Sequence, residues 1–427
     1  MKYSVDRFIK ELTDNQVITN DTASKIQDYF AAKSDPRTNR LLAIFGVLGA
    51  LLIGIGIILI VAHNWDDFTR TFKAILAFVP VLIGLGACGF AIFKKENSYT
   101  WKEGSAVFLT FAFGACMALI SQIYNIPGTL QDFMLTWIIA IIPLVYIMWS
   151  SITSILLIIG ITAFGAMAGY ENVSDSEFQK YLCWVFLAAL VPFYWTYWKR
   201  QPTSNALYFH HWLLPGSIII LLGTLFTLDG KWAVPAYIAL FGCYYLFSGT
   251  NRLQNLSLFA NGYRLLSSLG TVLILMFLSF RGFWEEMIKS DPLVLEDLTS
   301  TSFVVTMILA AAGVFMLYQR KFKAPALIEY TFLVFIPVFL IGYWSSIIPV
   351  VTINILILVF SVFTISKGVH MNHLGVVNYG LLCITALIAC RFFDIDIPFF
   401  MKGLIFIFVG FAFFYSNYRM IQGRKSS

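Results

Sequence analysis

The feature that most restricts the fold of this chain is the stretch from Leu41 to Ala62, which contains no charged residue. Its twenty-two residues would extend roughly 33 Å as an α-helix, about the thickness of the hydrocarbon core of a bilayer. Arg37 and Arg40 precede the stretch, and polar residues follow it. We therefore predict that this stretch crosses a membrane as a helix.

The composition of the whole chain supports a membrane location. Only 12% of the 427 residues are charged, whereas 59% are hydrophobic. A soluble domain carries about 25% charged residues, so this chain has too few to solvate the surface of a soluble protein of its size. The first apolar stretch is also too long for the core of a cleavable signal peptide, and we expect it to remain as an anchor.

Similar apolar stretches recur along the chain, and we count fourteen candidate membrane spans. They lie near residues 41–62, 72–93, 104–122, 131–149, 151–170, 178–197, 209–227, 231–248, 258–280, 302–318, 326–343, 346–366, 372–390 and 397–417. Several are short or nearly adjacent, so the count lies between twelve and fourteen. The sequence thus predicts an all-α, polytopic integral membrane protein in which residues 37–427 form the multi-spanning domain.

Residues 1–36 form a separate, more polar region. Apolar residues follow helical spacing at Val5, Phe8, Ile9 and Leu12, which indicates an amphipathic helix. Thr19, Asn20 and Asp21 offer an N-cap for a second helix. We predict a short soluble helical hairpin on the cytoplasmic side. It could pack on the membrane domain or on a second copy of the chain, or it could bind a protein partner.

The basic residues indicate how the spans are oriented. If the N-terminus is cytoplasmic and fourteen spans alternate, 21 of the 29 Lys and Arg residues lie on the inner side and 8 on the outer side. This bias obeys the positive-inside rule, so we predict that both termini are cytoplasmic. The longest predicted outer loop, from Arg281 to Ser302, is acidic. We expect a solvated loop there, the alternative being a vestibule that collects cations.

Charged residues are nearly absent from the predicted middle of the membrane. Ion-coupled transporters usually keep an ionisable group there. The polar candidates within spans are Glu329, near the inner interface, and Thr352 and Asn354, which point to different sides of one helix. Each of these side chains could simply form a hydrogen bond with a neighbouring helix.

A richer polar cluster is predicted at the outer ends of the early spans. Its candidate binding residues are His63, Asn64, Trp65, Asp66, Gln122, Tyr124 and Asp132. Aromatic stacking, amide hydrogen bonds and carboxylate charge would together suit a polar headgroup or a sugar. The alternative is an interfacial belt, in which Trp and Tyr anchor the helices and polar residues cap their ends.

No catalytic residue, metal site or cofactor is predicted, and no nucleic-acid partner is expected. No nucleophile can be identified, and the HExxH and P-loop motifs are absent. Gly84, Gly86 and Gly89 spell GxGxxG, but they lie inside an apolar span, where helix packing explains them better than a dinucleotide site.

Several motifs in the first third of the chain resemble a known family. They are a helical N-terminal region from Gln16 to Tyr29, a glycine-rich span ending His63-Asn64-Trp65-Asp66, and a span that begins Trp101-Lys102-Glu103-Gly104 and closes Ser121-Gln122-Ile123-Tyr124. This pattern resembles the bacterial predicted membrane proteins grouped as domain of unknown function 2157 (DUF2157), best over residues 1 to about 150. The resemblance implies a protein of the bacterial cytoplasmic membrane and adds no catalytic residues.

Three classes of function are compatible with these observations. A transporter or flippase-like protein for an envelope-related or polar substrate is favoured, and it predicts a water-accessible cavity that reaches the middle of the membrane. A non-catalytic assembly or stress factor, acting through protein partners, predicts a packed bundle. A membrane-embedded transferase is the least supported, because the outer loops lack paired catalytic groups.

Overall fold

The computed structural model describes residues 9, 12–32, 65–170, 178–226, 230–250, 252–254, 256–289, 293–319, 327–394 and parts of 400–415. The predicted span 41–62, His63, Asn64 and most of the first predicted helix lie outside the described residues. Contacts divide the chain into two units, residues 1–77 and 78–427.

In the first unit, the second predicted helix is present as α1, Asn20–Ala32. The Thr19 hydroxyl accepts a hydrogen bond from the Thr22 amide at 3.3 Å, which confirms the predicted N-cap. Before α1 the chain turns, and the Val17 amide donates to the Leu12 carbonyl at 2.9 Å. This unit also contains the first turns of the next helix.

The remaining helices follow in chain order. They are α2 Arg70–Lys94, α3 Tyr99–Tyr124, α4 Leu130–Met148, α5 Ser151–Tyr170, α6 Gln179–Arg200, α7 Asn205–Gly223, α8 Ala233–Ser248, α9 Gly262–Leu278, α10 Arg281–Lys289, α11 Thr301–Gln319, α12 Leu327–Ile341, α13 Ile347–His370 and α14 Leu374–Asp394. Two short 3-10 helices, Leu258–Ala260 and Leu295–Leu298, lie between them. No strand occurs in the described part of the chain, so the all-α prediction is confirmed there.

Nine helices in the described ranges are long and apolar enough to cross a membrane. These nine coincide with nine of the predicted spans. The predicted span 258–280 corresponds to α9, which together with α10 forms a pair bent by 68°. Helices α8 and α12 are shorter apolar helices, and residues 397–417 are only partly described. The exact number of fourteen spans therefore stays a prediction.

The outer surfaces of the long helices are apolar. On α2, Leu82 and Ile83 are 64% and 58% exposed, and on α13 Ile355 is 54% exposed. Large apolar side chains at such density are costly in water and stable against hydrocarbon chains. The membrane-spanning helices therefore imply a lipid bilayer environment.

Hydrogen bonds between helix termini in residues 78–427 identify two ends of the bundle. At one end the α4–α5 turn contacts the start of α3, and the start of α7 contacts the start of α5. This basic end, as we call it, contains Lys102, Arg200, Arg252, Arg264 and Lys367. At the opposite end, α5 and α7 terminate together, since the Tyr170 hydroxyl donates to the Ile220 carbonyl at 2.7 Å.

The interior consists of two large apolar clusters. One surrounds Phe164 and Phe193 on α5 and α6, and the other surrounds Trp284, Phe332 and Phe335 on α10 and α12. Helices α7 and α9 approach very closely at Gly262, where an added Cβ would overlap the carbonyl group of His211. The glycine is required because no side chain fits between the two backbones.

The segment after α9 is more ordered than a solvated loop. Glu286 and Glu296 are exposed as expected, but Trp284 is fully buried and its indole N–H donates to the Leu278 carbonyl at 2.7 Å. The solvated-loop prediction is therefore wrong for α10. On α10, Phe283 and Met287 are partly buried beside Trp284 and pack against the second apolar cluster.

Candidate functional site

A cavity of about 440 Å³ lies at the basic end, between α9, α13, α14 and the segment that follows α8. Its polar lining consists mainly of Arg264, Lys367, His373, Tyr245, Ser268 and Tyr379. Its apolar lining includes Leu265, Leu269, Ile328, Phe360 and Phe363. The cavity volume falls in the range of about 300–1,000 Å³ that is typical of small-molecule sites.

Two cations are held half-buried in the cavity wall. The Arg264 guanidinium lies 6.0 Å from the centre of the Tyr245 ring, and Lys367 lies near the last turn of α13. No carboxylate of the described residues is within salt-bridge distance of either cation. The buried Glu329, next in sequence to the lining residue Ile328, interacts electrostatically with Lys367. The wall therefore has more positive than negative charge.

Uncharged polar groups complete this part of the lining. The Ser268 hydroxyl and the Tyr379 hydroxyl are 2.9 Å apart and join α9 to α14. His373 is exposed at the start of α14, where its Nδ1 accepts a hydrogen bond from the Val376 amide at 3.3 Å. These groups give the cavity several hydrogen-bond donors close to the two cations.

The cavity extends well into the helical bundle. Phe360 lies ten residues before the end of α13 at His370, a distance of about 15 Å along the helix axis. That is about half of the roughly 30 Å hydrocarbon core of a bilayer.

A second polar site at the basic end was not predicted from the sequence. The Glu103 carboxylate on α3 is buried and accepts hydrogen bonds from the Ser151 amide at 2.7 Å and the Ile152 amide at 3.1 Å. The hydroxyls of Ser150 and Ser151 also donate to it. These two amides belong to the first turn of α5, where no intrahelical partner exists for them. Glu103 therefore caps α5 from a neighbouring helix.

Two histidines next to this cap are embedded in the core. His210 Nδ1 lies 2.8 Å from the Ala206 carbonyl, and its Nε2 lies 3.1 Å from the Ser154 hydroxyl. Since a carbonyl only accepts, Nδ1 carries the proton and Nε2 accepts from Ser154. His211 Nδ1 is 2.8 Å from the Tyr194 hydroxyl. Both imidazoles are buried on α7, and the described residues include no group of three or more potential metal ligands.

The signal for the Glu103 site was present in the sequence. A carboxylate one turn into an apolar span needs donors, and the serines at 150 and 151, between two nearly adjacent spans, mark a helix start whose amides are free. From the sequence we note Glu103 only in the Trp101-Lys102-Glu103-Gly104 motif and do not connect it with the serines, the first of which lies forty-seven residues further along the chain.

The predicted outer residues fall in different units. His63 and Asn64 lie outside the described residues. Trp65 and Asp66 lie in the turn before α2, in the first unit, where the Lys73 ammonium group is 5.4 Å from the centre of the Trp65 ring. This contact occupies one face of the indole.

The other predicted outer residues belong to the second unit. Gln122 and Tyr124 are exposed near the end of α3. Asp132 accepts hydrogen bonds from the Thr129 amide and hydroxyl at 3.0 and 2.8 Å, and the Thr129 hydroxyl accepts from the Asp132 amide. This capping box uses the carboxylate to stabilise the start of α4.

The predicted intramembrane polar residues are distributed over two helices. Asn354 donates to the carbonyls of Val350 at 2.7 Å and Ser279 at 3.4 Å, so it joins α13 to the end of α9. Thr352 is half-buried on α13, and Glu329 is buried near the cavity. Of these three residues, only Glu329 lies next to a lining residue of the cavity.

Comparison with known proteins agrees with the resemblance predicted from the sequence. Residues 10–154 match the model of a family described as a predicted membrane protein, DUF2157. No curated protein and no solved structure matches the chain. The matched part includes Glu103 and its partners on α5, whereas the basic-end cavity is formed by residues that follow it.

Proposed function

We propose that this chain is a transporter or flippase-like protein that receives an envelope-related, negatively charged substrate in its basic-end cavity. The observation that supports the proposal is the pair of half-buried cations, Arg264 and Lys367, in the wall of a cavity that extends about halfway along α13. Arg264 lies in the first turn of α9 and Lys367 in the last turn of α13, and partial burial of a cation without an ion pair is costly. An anionic substrate would offset that cost.

The proposed topology places this cavity on the cytoplasmic side of a bacterial inner membrane. In this arrangement the chain has about fourteen spans, both termini are cytoplasmic, and residues 1–36 form a cytoplasmic hairpin. The positive-inside rule supports the assignment, because with fourteen alternating spans 21 of the 29 Lys and Arg residues of the sequence lie on the predicted inner side. Substrate would then enter from the cytoplasm or from the inner leaflet.

Transport can be tested with the full chain reconstituted into liposomes. Fluorescently labelled phosphatidylglycerol would be followed by chemical quenching of the probe in the outer leaflet. We expect faster loss of protected probe than in protein-free liposomes, and we expect Leu269→Trp, which fills the cavity, to abolish the difference. Leu273→Trp is the matched control, because Leu273 lies one turn further along α9 and is exposed outside the cavity. Equal rates with and without protein would refute the proposal.

The alternative function is protein assembly through residues 1–36. The observation that favours it is Val17, which is 66% exposed in the turn before α1. Deletion of residues 1–36 should then abolish co-purification of a partner or of a second, differently tagged copy, while leaving lipid movement unchanged. Binding of a headgroup or sugar by Trp65, Gln122 and Tyr124 stays a separate prediction.

A further inference from the structure

We infer that the ligand class of the basic-end cavity is an anionic, phosphate-bearing amphiphile. Its phosphate would be held by Arg264 and Lys367, and its hydrocarbon chain would lie against Leu269, Phe360 and Phe363. The inference deepens the proposed function and rests on it only for the claim that the bound molecule is moved. Binding can be measured independently of transport.

The charges of the cavity wall indicate the sign of the ligand. Arg264 and Lys367 are close enough to interact electrostatically, as are Lys367 and Glu329. Among the described residues, no carboxylate is within salt-bridge distance of either cation. Two like charges in a half-buried wall are stabilised when an anion binds between them. A cationic ligand would be repelled.

The chemistry of the donors favours a phosphate group. Arginine presents planar donors that match the spacing of phosphate oxygens, and lysine adds a compact positive charge. The Ser268 and Tyr379 hydroxyls also line the cavity, and hydroxyl donors can satisfy the remaining phosphate oxygens.

The apolar lining requires a second, hydrophobic part of the ligand. Most of the apolar residues that line the cavity are Leu or Phe. Leu269 and Phe363 line the cavity and are 43% and 45% exposed. They therefore offer apolar surface that an acyl chain could cover. A soluble anion alone would leave this part of the cavity empty.

The experiment that tests the inference is lipid binding measured by native mass spectrometry. The full chain in a neutral detergent would be titrated with phosphatidylglycerol or with phosphatidylcholine of the same acyl chains, and glycerol 3-phosphate would supply the headgroup without chains. We expect phosphatidylglycerol to bind with at least tenfold higher affinity than phosphatidylcholine. Glycerol 3-phosphate should not displace it at equal concentration, because it lacks the chain.

Variants locate the site of this binding. Arg264→Gln and Lys367→Gln should each weaken phosphatidylglycerol binding about tenfold, the effect of one lost charge-assisted contact. Arg252→Gln is the matched control, because Arg252 is a basic-end cation that lies over the rings of Trp195 and Trp198 outside the cavity. Its affinity should not change. Arg264→Lys, which keeps the charge, should retain more affinity than Arg264→Gln and guards against a loss caused by misfolding.

Three results would overturn the inference. They are equal affinities for the two lipids, unchanged affinity in the Arg264→Gln and Lys367→Gln variants, and displacement of the lipid by glycerol 3-phosphate at equal concentration. Selective binding without movement in liposomes would leave the ligand class intact and refute the transport proposal. Movement of lipid without headgroup selectivity would leave the transport proposal intact and refute the ligand class.

Discussion

At the residue scale, this protein depends on the hydrogen-bond partners of a few polar side chains that apolar helices enclose. Glu103 is the clearest case, because its carboxylate accepts from two amides and two hydroxyls at the start of α5. An unpartnered carboxylate in this position would be expensive, whereas a partnered one joins α3 firmly to the α4–α5 turn. A buried charged residue in an apolar helix is thus not by itself evidence of transport chemistry.

Replacing Glu103 tests its structural role. We expect Glu103→Ala to destabilise the folded protein by about 2 kcal/mol or more, because the Ser151 and Ile152 amides lose a charged acceptor in a buried place. Denaturant unfolding of the purified protein in detergent measures the difference. Glu285→Ala is the control, since Glu285 forms an exposed pair with Arg281 and should cost less than about 1 kcal/mol. Similar losses for both variants would contradict the assignment.

The pair of Lys231 and Asp297 at the opposite end gives a pH-dependent prediction. Their side chains are 2.8 Å apart. Burial alone would raise the pKa of Asp297, but hydrogen bonds from Lys231 and the Val294 amide, with the Lys231 charge, lower that pKa overall. The pair therefore stabilises the fold above the unfolded-state pKa of about 3.9, and this stability is lost as the pH falls through the folded-state pKa.

The measurement compares thermal unfolding of the parent protein and Asp297→Asn between about pH 6 and pH 3. The parent should be more stable near pH 6, and the difference should shrink as the pH falls. In a protein that already carries Lys231→Gln, Asp297→Asn should lower the thermal stability near pH 6 by a smaller amount. A difference that grows in acid would show that Asp297 is not stabilised in its charged form.

At the element scale, hydropathy predicted most of the helices and missed those whose role depends on tertiary contacts. The nine long apolar helices were predictable because each is continuous and carries at most two charged residues over the width of a bilayer. Helix α10 was not, because its single buried Trp284 is fixed by α9 and α12 rather than by a local pattern. The capping box of Thr129 and Asp132 has a local signature, but its charge suggested binding instead.

The close approach of α7 and α9 gives a prediction for helix packing. We expect Gly262→Ala to destabilise the protein by about 1–3 kcal/mol, because the new methyl group would overlap the His211 backbone, which cannot move aside. Gly216→Ala, on α7, is the control, since no described atom lies within 4 Å of its added Cβ. That variant should be neutral or more stable, given the helix propensity of alanine. Thermal unfolding in detergent would distinguish them, and equal midpoints would contradict the packing argument.

At the scale of the whole molecule, the cavity lies at the basic end of the bundle that residues 78–427 form. The sequence predicts through the positive-inside rule that this end faces the cytoplasm, and that orientation stays a prediction. The sequence did not predict the cavity, since Arg264, Lys367 and Tyr379 come from three helices whose packing no local pattern specifies. From the sequence we predicted the binding residues at the outer ends of the early spans, because aromatic and amide side chains occur together there.

Labelling in whole cells tests the orientation. Thr203→Cys places a thiol between α6 and α7 at the basic end, and Glu286→Cys places one on α10 at the opposite end. We expect a membrane-impermeant maleimide to label Glu286→Cys in intact cells and Thr203→Cys only after permeabilisation. The unsubstituted chain supplies the background from its native cysteines. The opposite labelling pattern would place the basic end outside the cytoplasm.

An experimental structure of the full chain in lipid nanodiscs that contain phosphatidylglycerol would show most directly whether the cavity binds an anionic lipid. We expect headgroup density within hydrogen-bond distance of Arg264 and Lys367, with chain density that passes Phe360 and Phe363 toward the bilayer. A cavity that holds only water, or that is filled by its own side chains while lipid binds elsewhere, would contradict this expectation.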